Sequence, residues 1–573
     1  MTLEVWAPIA TTVELVMEGR RLPLRRRDDG CWDSDHALEG GVDYRFLVDG
    51  GEPRPDPRSP WQPKGVYGPS RTVDHSAFPW TDDHWRGASL ADAVVYELHT
   101  GTFTPEGTFE AAIERLPHLV ELGVTAVELL PVGEFPGKHG WGYDGVDLYA
   151  PHHAYGGPDG LKRFADACHR AGLAVIMDVV YNHLGPSGNY LSEFGPYFTD
   201  RYSTPWGQAI NFDDAFSPGV RNFVIENALM WLRDYHCDGL RLDAVHAILD
   251  TSALHILEEI ALRVRELEIR LGRTLWVIAE SDLNDPRLVR TRDAGGYGLD
   301  AQWSDDFHHA LHALLTGDTD GYYRDFGTIE HLCKALTNAF VYDGTYSEHR
   351  KRRHGRIPTG LGGDRFLAYL QNHDQIGNRA QGERSSALMS TDMLKVAAAV
   401  VLTSPFIPML FQGEEWGAST PFQYFTDHSD EDLGRAVSEG RRREFAAFGW
   451  DPADVPDPQD RATFERSKLD WAEVTKEPHA DLLEWHRRLI ELRKETPALA
   501  DGRRDLVRAR ADGDVLVIER GPVTIACNLG GEAAETAVPA ERRARLLLSS
   551  GTAPRTAADR IVLLPESVSI YSI

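Results

Sequence analysis

At 573 residues the chain is longer than one ordinary domain, and its 42% hydrophobic and 10% aromatic residues supply the apolar material for a large core. Sixty basic against 88 acidic residues leave a net charge of −28, which argues against nucleic acid and anionic membranes as partners and suits a neutral, polar substrate. Five scattered cysteines (Cys31, Cys168, Cys237, Cys333, Cys527) show no metal-type spacing and read as reduced thiols. The start lacks a signal-peptide pattern and no run of about 18 apolar residues occurs, so the expected location is the cytoplasm.

Residues 1–85 contain short β-like runs at 3–7, 13–17 and 44–48, separated by turn signals such as Asp28-Asp29-Gly30 and Asp49-Gly50-Gly51. They predict a small antiparallel β-sandwich, followed by a proline-rich linker at 53–69 and 81–91. From about 92 to 500, strand and helix alternate as an eightfold (β/α)8 TIM barrel requires. The predicted strands are 94–98, 125–130, one ending at Asp178, one at Asp243, one at Glu280, 299–303, one ending near Asp374, and 407–411. Amphipathic helices are expected between them, for example over 109–122 and 254–271. A Gly-, Pro- and aromatic-rich insert, 184–214, follows strand three, and such long loops commonly shape an active site. After a helix at 481–495, residues 503–573 return to short β runs (515–520, 522–528, 561–564) and predict a second small β domain. The expected architecture is therefore multidomain, with a central barrel flanked by two β domains.

Chemistry concentrates at the strand ends. The stretch 239–246 (GLRLDAVH) reads as a buried strand that presents Asp243, with Arg241 two residues earlier on the same face. An arginine so placed favours the charged carboxylate, and an ionised carboxylate at a strand end is a candidate nucleophile. Alone, this octapeptide fits a structural ion pair equally well. Three further apolar runs end similarly: 173–183 (LAVIMDVVYNH) in Asp178, Asn182 and His183, 275–282 (LWVIAESD) in Glu280, and 366–374 (FLAYLQNHD) in His373 and Asp374. A parallel sheet buried on both faces produces such runs, and its C-terminal edge is where α/β barrels place their chemistry. Strands four and five are neighbours about 4.8 Å apart. Asp243 and Glu280 at their ends suit the retaining geometry of glycoside cleavage, in which one carboxylate attacks and an acid about 5–5.5 Å away protonates the leaving oxygen. Glu280 follows Val277-Ile278-Ala279, so partial burial would raise its pKa and suit it as the acid.

These four stretches, in this order, resemble the signature regions of the α-amylase family of glycoside hydrolases. The resemblance implies that Asp374 binds sugar hydroxyls and stabilises the developing oxocarbenium ion. It also implies that His183 and His373 hydrogen-bond the sugar at the cleaved subsite and that Tyr143, in Trp141-Gly142-Tyr143-Asp144, stacks on it. Arg241 and His246 complete the expected substrate-binding set. Trp141 serves sugar stacking or packing under a loop equally well. Many amylases hold calcium near the asparagine matching Asn182, helped by a histidine four residues after the nucleophile. Here that position is Ala247, while His246 takes the place of the common lysine, so no required metal and no cofactor are expected. The sandwich ahead of the barrel (Val5-Trp6-Ala7-Pro8, Asp56-Pro57-Arg58-Ser59) resembles the domain, often like a carbohydrate-binding module, that precedes the barrel in branching, debranching and trehalose-releasing members; packing against the barrel accounts for it equally well. Residues 96–104 are similar to that part of the family, and residues 141–160, 181–190, 301–309 and 371–379 to its members that release trehalose from maltooligosyltrehalose. A branching or debranching enzyme is the runner-up, and a glucan-binding protein with an inactive barrel the non-enzyme alternative.

Overall fold

The computed structural model describes residues 2–447, 451, 453–557 and 559–573. Eight parallel strands close into a barrel: β1 (Val95–Leu98), β2 (Ala126–Leu129), β3 (Ala174–Val179), β4 (Gly239–Leu242), β5 (Trp276–Ala279), β6 (Ala301–Trp303), β7 (Phe366–Ala368) and β8 (Ile407–Phe411). Each pairs with the next in sequence, and β8 pairs with β1. Every residue of all eight strands is buried, as expected where helices cover one face and other strands the second.

The pleat decides which residues serve chemistry. One parity (Val95, Ala126, Ala174, Ile176, Trp276, Ile278, Ala301, Trp303, Leu367, Ile407, Met409) forms a cluster of its own inside the barrel. The other parity (Leu98, Val127, Val175, Leu240, Leu242, Val277, Phe366, Leu410) joins the large core shared with the surrounding helices. Continuing the inner parity by twos places Glu97, Glu128, Asp178, Arg241, Asp243 and Glu280 on the barrel axis. Gly239 makes room for this packing: a Cβ there would sit 3.2 Å from Cβ of Trp276 and 3.4 Å from Ile176.

Three expectations change in detail. The helix predicted over 109–122 is two pieces, Phe109–Ile113 and Leu116–Leu122, because Pro117 lies in the first turn of the second and cannot continue the first. Strand seven stops at Ala368, and Asp374 sits in a helical turn, His373–Gly377, whose cap Asn372 accepts the main-chain N–H groups of Asp374 and Gln375. The segment predicted as a linker after residue 80 is strapped to the base of the barrel. There Thr81 bonds Asp166, Asp82 pairs with His169 (2.7 Å) and His236 (2.8 Å), and Trp85 Nε1 donates to Asp238.

Ahead of the barrel lie a three-stranded sheet (Thr2–Trp6, Arg25–Arg26, Cys31–Ala37) and a four-stranded sheet (Val13–Met17, Arg20–Pro23, Asp43–Val48, Ser70–Arg71). After it come a five-stranded sheet (Val507–Asp512, Val515–Arg520, Val523–Asn528, Arg545–Ser549, Ser567–Ser572) and a three-stranded one (Ala534–Ala537, Arg555–Ala557, Arg560–Leu563). The five-stranded sheet is apolar on both faces. Val515, Val517 and Ala526 meet Ile561 and Leu563 of the smaller sheet, whereas Leu516, Ile518 and Ile525 join the barrel core.

Candidate active site

Arg241 is the hub of the barrel mouth. Its side chain is buried, and Nη1 donates to Asp178 Oδ1 and Oδ2 (2.9 and 2.8 Å) and to Asp243 Oδ1 (2.8 Å), while Nη2 lies 3.7 Å from Glu280 Oε2. The guanidinium also rests 4.4 Å from the centre of the Trp303 ring. Burial, with the neighbouring charge of Asp243, pushes Asp178 up to about 6 despite this arginine.

Asp243 and Glu280 extend adjacent, in-register strands: Leu242 pairs with Ala279, and the ladder continues one step as Glu280 N–H donates to Leu242 O (3.0 Å). Asn182 Nδ2 donates to Asp243 Oδ2 (2.7 Å) and to its carbonyl (2.8 Å), fixing the carboxylate between two donors. The next residue, Ala244, adopts φ 40°, ψ 50°, a left-handed conformation that costs a side-chain-bearing residue energy. In return, its N–H points at Glu280 Oε2, 2.6 Å away. Burial, with the charges of Asp243, Asp305 and Asp374 adding to it, raises the Glu280 pKa well above the usual carboxyl range, with Arg241 opposing. Because Oε2 accepts an N–H and faces the guanidinium, the proton of the acid form belongs on Oε1.

A cavity of about 510 Å³ opens over this pair, lined by Tyr143, His183, Asp243, His246, Glu280, His373 and Asp374, with Trp141, Trp206, Tyr424 and Arg441 on its walls. The structure thus gathers seven of the eight residues singled out from sequence around one cavity, and Arg241 lies directly beneath. His373 Nδ1 lies 2.5 Å from Glu97 Oε1 and its Nε2 2.8 Å from Tyr143 Oη, which donates to Asp178 Oδ2 (2.6 Å). His183 bonds the Asn182 amide and the Tyr143 carbonyl, and the Trp206 ring stacks on it at 4.5 Å. Half-exposed His246 lies 3.9 Å from Asp282. Trp141 does both things open to it: Nε1 donates to Gln423 O and the ring stacks on Phe422, while its edge lines the cavity.

Sequence reasoning missed Trp206, Tyr424, Arg441 and Glu97. Trp206 lies in the aromatic-rich insert, at the turn between strands Phe198–Thr204 and Gly207–Ile210, which was its only signal. A hollow of about 600 Å³ lies between the segments around Gly40–Gly41 and Thr72–Pro79 and the start of helix Gly157–Arg170, but neither the Arg241-linked carboxylates nor Glu280 face it, so the chemistry selects the barrel mouth.

For metals, the Asn182 amide is taken by Asp243 and His183. Among the described residues, Glu134, His152 and His153 bring three ligand atoms within 4.8 Å of one another. His153 Nδ1 already pairs with Glu134 (2.6 Å), and His152 Nδ1 accepts the Ala154 N–H, which leaves its proton on Nε2 beside Glu134 (3.7 Å). That pattern is an imidazole–carboxylate cluster rather than three free lone pairs.

A closed eight-stranded barrel with two neighbouring carboxyl groups at its C-terminal mouth, one of them buried and raised in pKa, has the layout of a glycoside hydrolase of the α-amylase type. Residues 76–203 match the alpha amylase catalytic domain family. The chain is 56% identical to the malto-oligosyltrehalose trehalohydrolase of Arthrobacter ramosus over 92% of each protein, and 47% identical to that of Saccharolobus solfataricus over 86% of this chain and 85% of the relative. A solved Salmonella typhimurium protein superposes with a TM-score of 0.92 at 40% identity, covering all of this chain and 97% of its own. The chain belongs to the malto-oligosyltrehalose trehalohydrolase family.

Proposed function

We propose that the protein hydrolyses the α-1,4-glucosidic bond next to the trehalose end of a maltooligosyltrehalose, with retention, releasing free trehalose. The observation that carries this reading is the pairing of Asp243 and Glu280 on neighbouring strands around one arginine, in a chain 56% identical to a trehalohydrolase. In the first step Asp243 Oδ attacks the anomeric carbon while Glu280 gives its proton to the glycosidic oxygen, so the C–O bond breaks and trehalose leaves neutral. Water then gives a proton to Glu280, attacks the same carbon and displaces Asp243. Arg241 and Asn182 aim the nucleophile, and Asp374, Tyr143, His183, His246 and His373 form the surface that receives the sugar.

Product analysis tests this. A maltooligosaccharide capped with trehalose is expected to yield trehalose and the shortened oligosaccharide, and the uncapped chain of equal length to react much more slowly. New α-1,6 branches on amylose, or equal cleavage of the uncapped chain, would refute the assignment.

A further inference from the structure

The mechanism leaves Glu97 unused, yet this residue closes a chain of hydrogen bonds behind the cavity. It is 1% exposed, on the inner face of β1, and spends both oxygens on one partner. Oε1 lies 2.5 Å from His373 Nδ1, and Oε2 accepts the main-chain N–H of His373 at 3.1 Å. The other ring nitrogen, Nε2, lies 2.8 Å from Tyr143 Oη.

Proton counting fixes the roles. Burial first, then the charge of Asp178, keep the Tyr143 phenol protonated, so it has one proton to donate. Asp178 Oδ2 takes it at 2.6 Å, because above its pKa of about 6 Asp178 is a carboxylate with only acceptors to offer, and both its oxygens receive Arg241. The phenol oxygen can therefore only accept from Nε2, which must carry a hydrogen. One more hydrogen lies between Nδ1 and Glu97 Oε1, 2.5 Å apart: on Nδ1 it makes the ring an imidazolium, on Oε1 it leaves both groups neutral.

We propose that His373 is a fixed imidazolium held by Glu97, and that Glu97 is thereby a positioning residue for hydrolysis: it aims the ring whose Nε2–H holds the Tyr143 platform in place. The role rests on the hydrolytic reading of this cavity, but the charge state does not. Charged and titratable groups facing the ring are Glu97 from β1, Asp374 beside it, Arg241 from β4, Asp178 beyond Tyr143, and His99; Glu128, in register with Glu97 on β2, lies behind. The Trp141 and Trp303 rings pack edge-on and carry no charge. Burial favours the neutral ring, Glu97 and then Asp374 oppose it, and the net direction for His373 is upward against Arg241.

The test is ring-nitrogen NMR of protein labelled in histidine, with the His373 signals assigned by their loss in His373→Gln. At about pH 8, above the ordinary imidazole range, wild-type His373 is expected to show two protonated nitrogens. A neutral ring at that pH, with its proton on Glu97 or absent, overturns the proposal without touching the hydrolase reading. In Glu97→Gln the ring is expected to become neutral near pH 7, and the alkaline limb of kcat/KM for trehalose release to move down by a unit or more. A variant that loses melting temperature but keeps both the ring signals and the pH profile assigns Glu97 a merely structural role. Persisting imidazolium signals in a protein that releases no trehalose would instead count against the proposed reaction alone.

Discussion

At the scale of single residues, the two carboxyl groups differ because their surroundings do. Asp243 meets Arg241 and Asn182 as donors, whereas Glu280 meets Ala244 N–H and Arg241 through Oε2, with no donor at Oε1 among the described residues, and is pushed upward by burial and by three neighbouring acids. A group serving as the acid must be protonated, so the upward shift of Glu280 widens the pH range in which it can serve, and activity is expected to fall as the pH rises through its pKa. Glu280→Gln is expected to lower kcat on the natural glycoside by about 10²–10⁴-fold. Substrates with activated leaving groups need little protonation and should be largely spared. Steady-state kinetics on both substrate types decide it; an equal loss on both would remove Glu280 from the acid role. Linkage runs the same way: a carboxyl raised on folding stabilises below its unfolded pKa and loses that contribution as the pH climbs through the folded one. The uncharged amide should therefore melt higher than wild type under alkaline conditions.

Among elements, the strap over residues 81–86 shows how a connecting segment becomes structural. Asp82 bridges His169 and His236, Asp238 receives the other face of His169, and Trp85 and Trp80 stack on the two imidazoles at 4.7 and 3.6 Å. Burial lowers the His169 pKa, but the hydrogen bonds to Asp238 and Asp82 outweigh it and the net direction is up. Burial raises Asp82, but its hydrogen bonds to His169 and His236 outweigh that, and the net direction is down. A raised histidine contributes stability below its unfolded pKa of about 6.5 and loses it as the pH rises through the folded value. A depressed aspartate contributes above its unfolded pKa of about 3.9 and loses it as the pH falls through the folded value. The strap is thus strongest in mildly acidic solution. Asp82→Asn is expected to lower the melting temperature clearly at about pH 6 and much less at about pH 9; the same loss at both would refute the pairing.

Across the whole molecule, the C-terminal sheet is bound to the barrel by a cation as well as by apolar contact. Arg520 is 2% exposed and donates to the carbonyl of Thr403, at the end of helix Thr391–Leu402, and to those of Ala498, Leu499 and Asp501, in and just after the short helix Pro497–Ala500. Desolvation lowers its pKa to about 10, which still leaves it charged at neutral pH. Removing it strands buried carbonyls, each worth on the order of 1 kcal/mol. Arg520→Ala is accordingly expected to cost about 4 kcal/mol in denaturant unfolding while kcat stays near that of wild type, since the residue is remote from the cavity. A large loss of kcat at full stability would contradict this. No helix among the described residues is long and apolar enough to cross a membrane.

Much of this was legible in the chain alone. The eight strands, their order and the residues Asp243 and Glu280 at adjacent ends follow from short apolar runs alternating with helical patterns and from which side chain comes next after each run, properties set by chain neighbours. What the sequence could not show was who meets whom once the barrel closes. His373 finds Glu97 from a distance of 276 positions, Trp206 covers His183 from the tip of an insert, and a stretch that looked like a linker grips two histidines beneath the barrel. Pro117 and Asn372 show the local side of the same limit, since a proline or a cap redraws an element's end wherever it outweighs the surrounding pattern. The residues able to do chemistry are fixed by local pattern; their protonation and aim are decided by tertiary partners, because hydrogen bonds and charges act through space rather than along the chain.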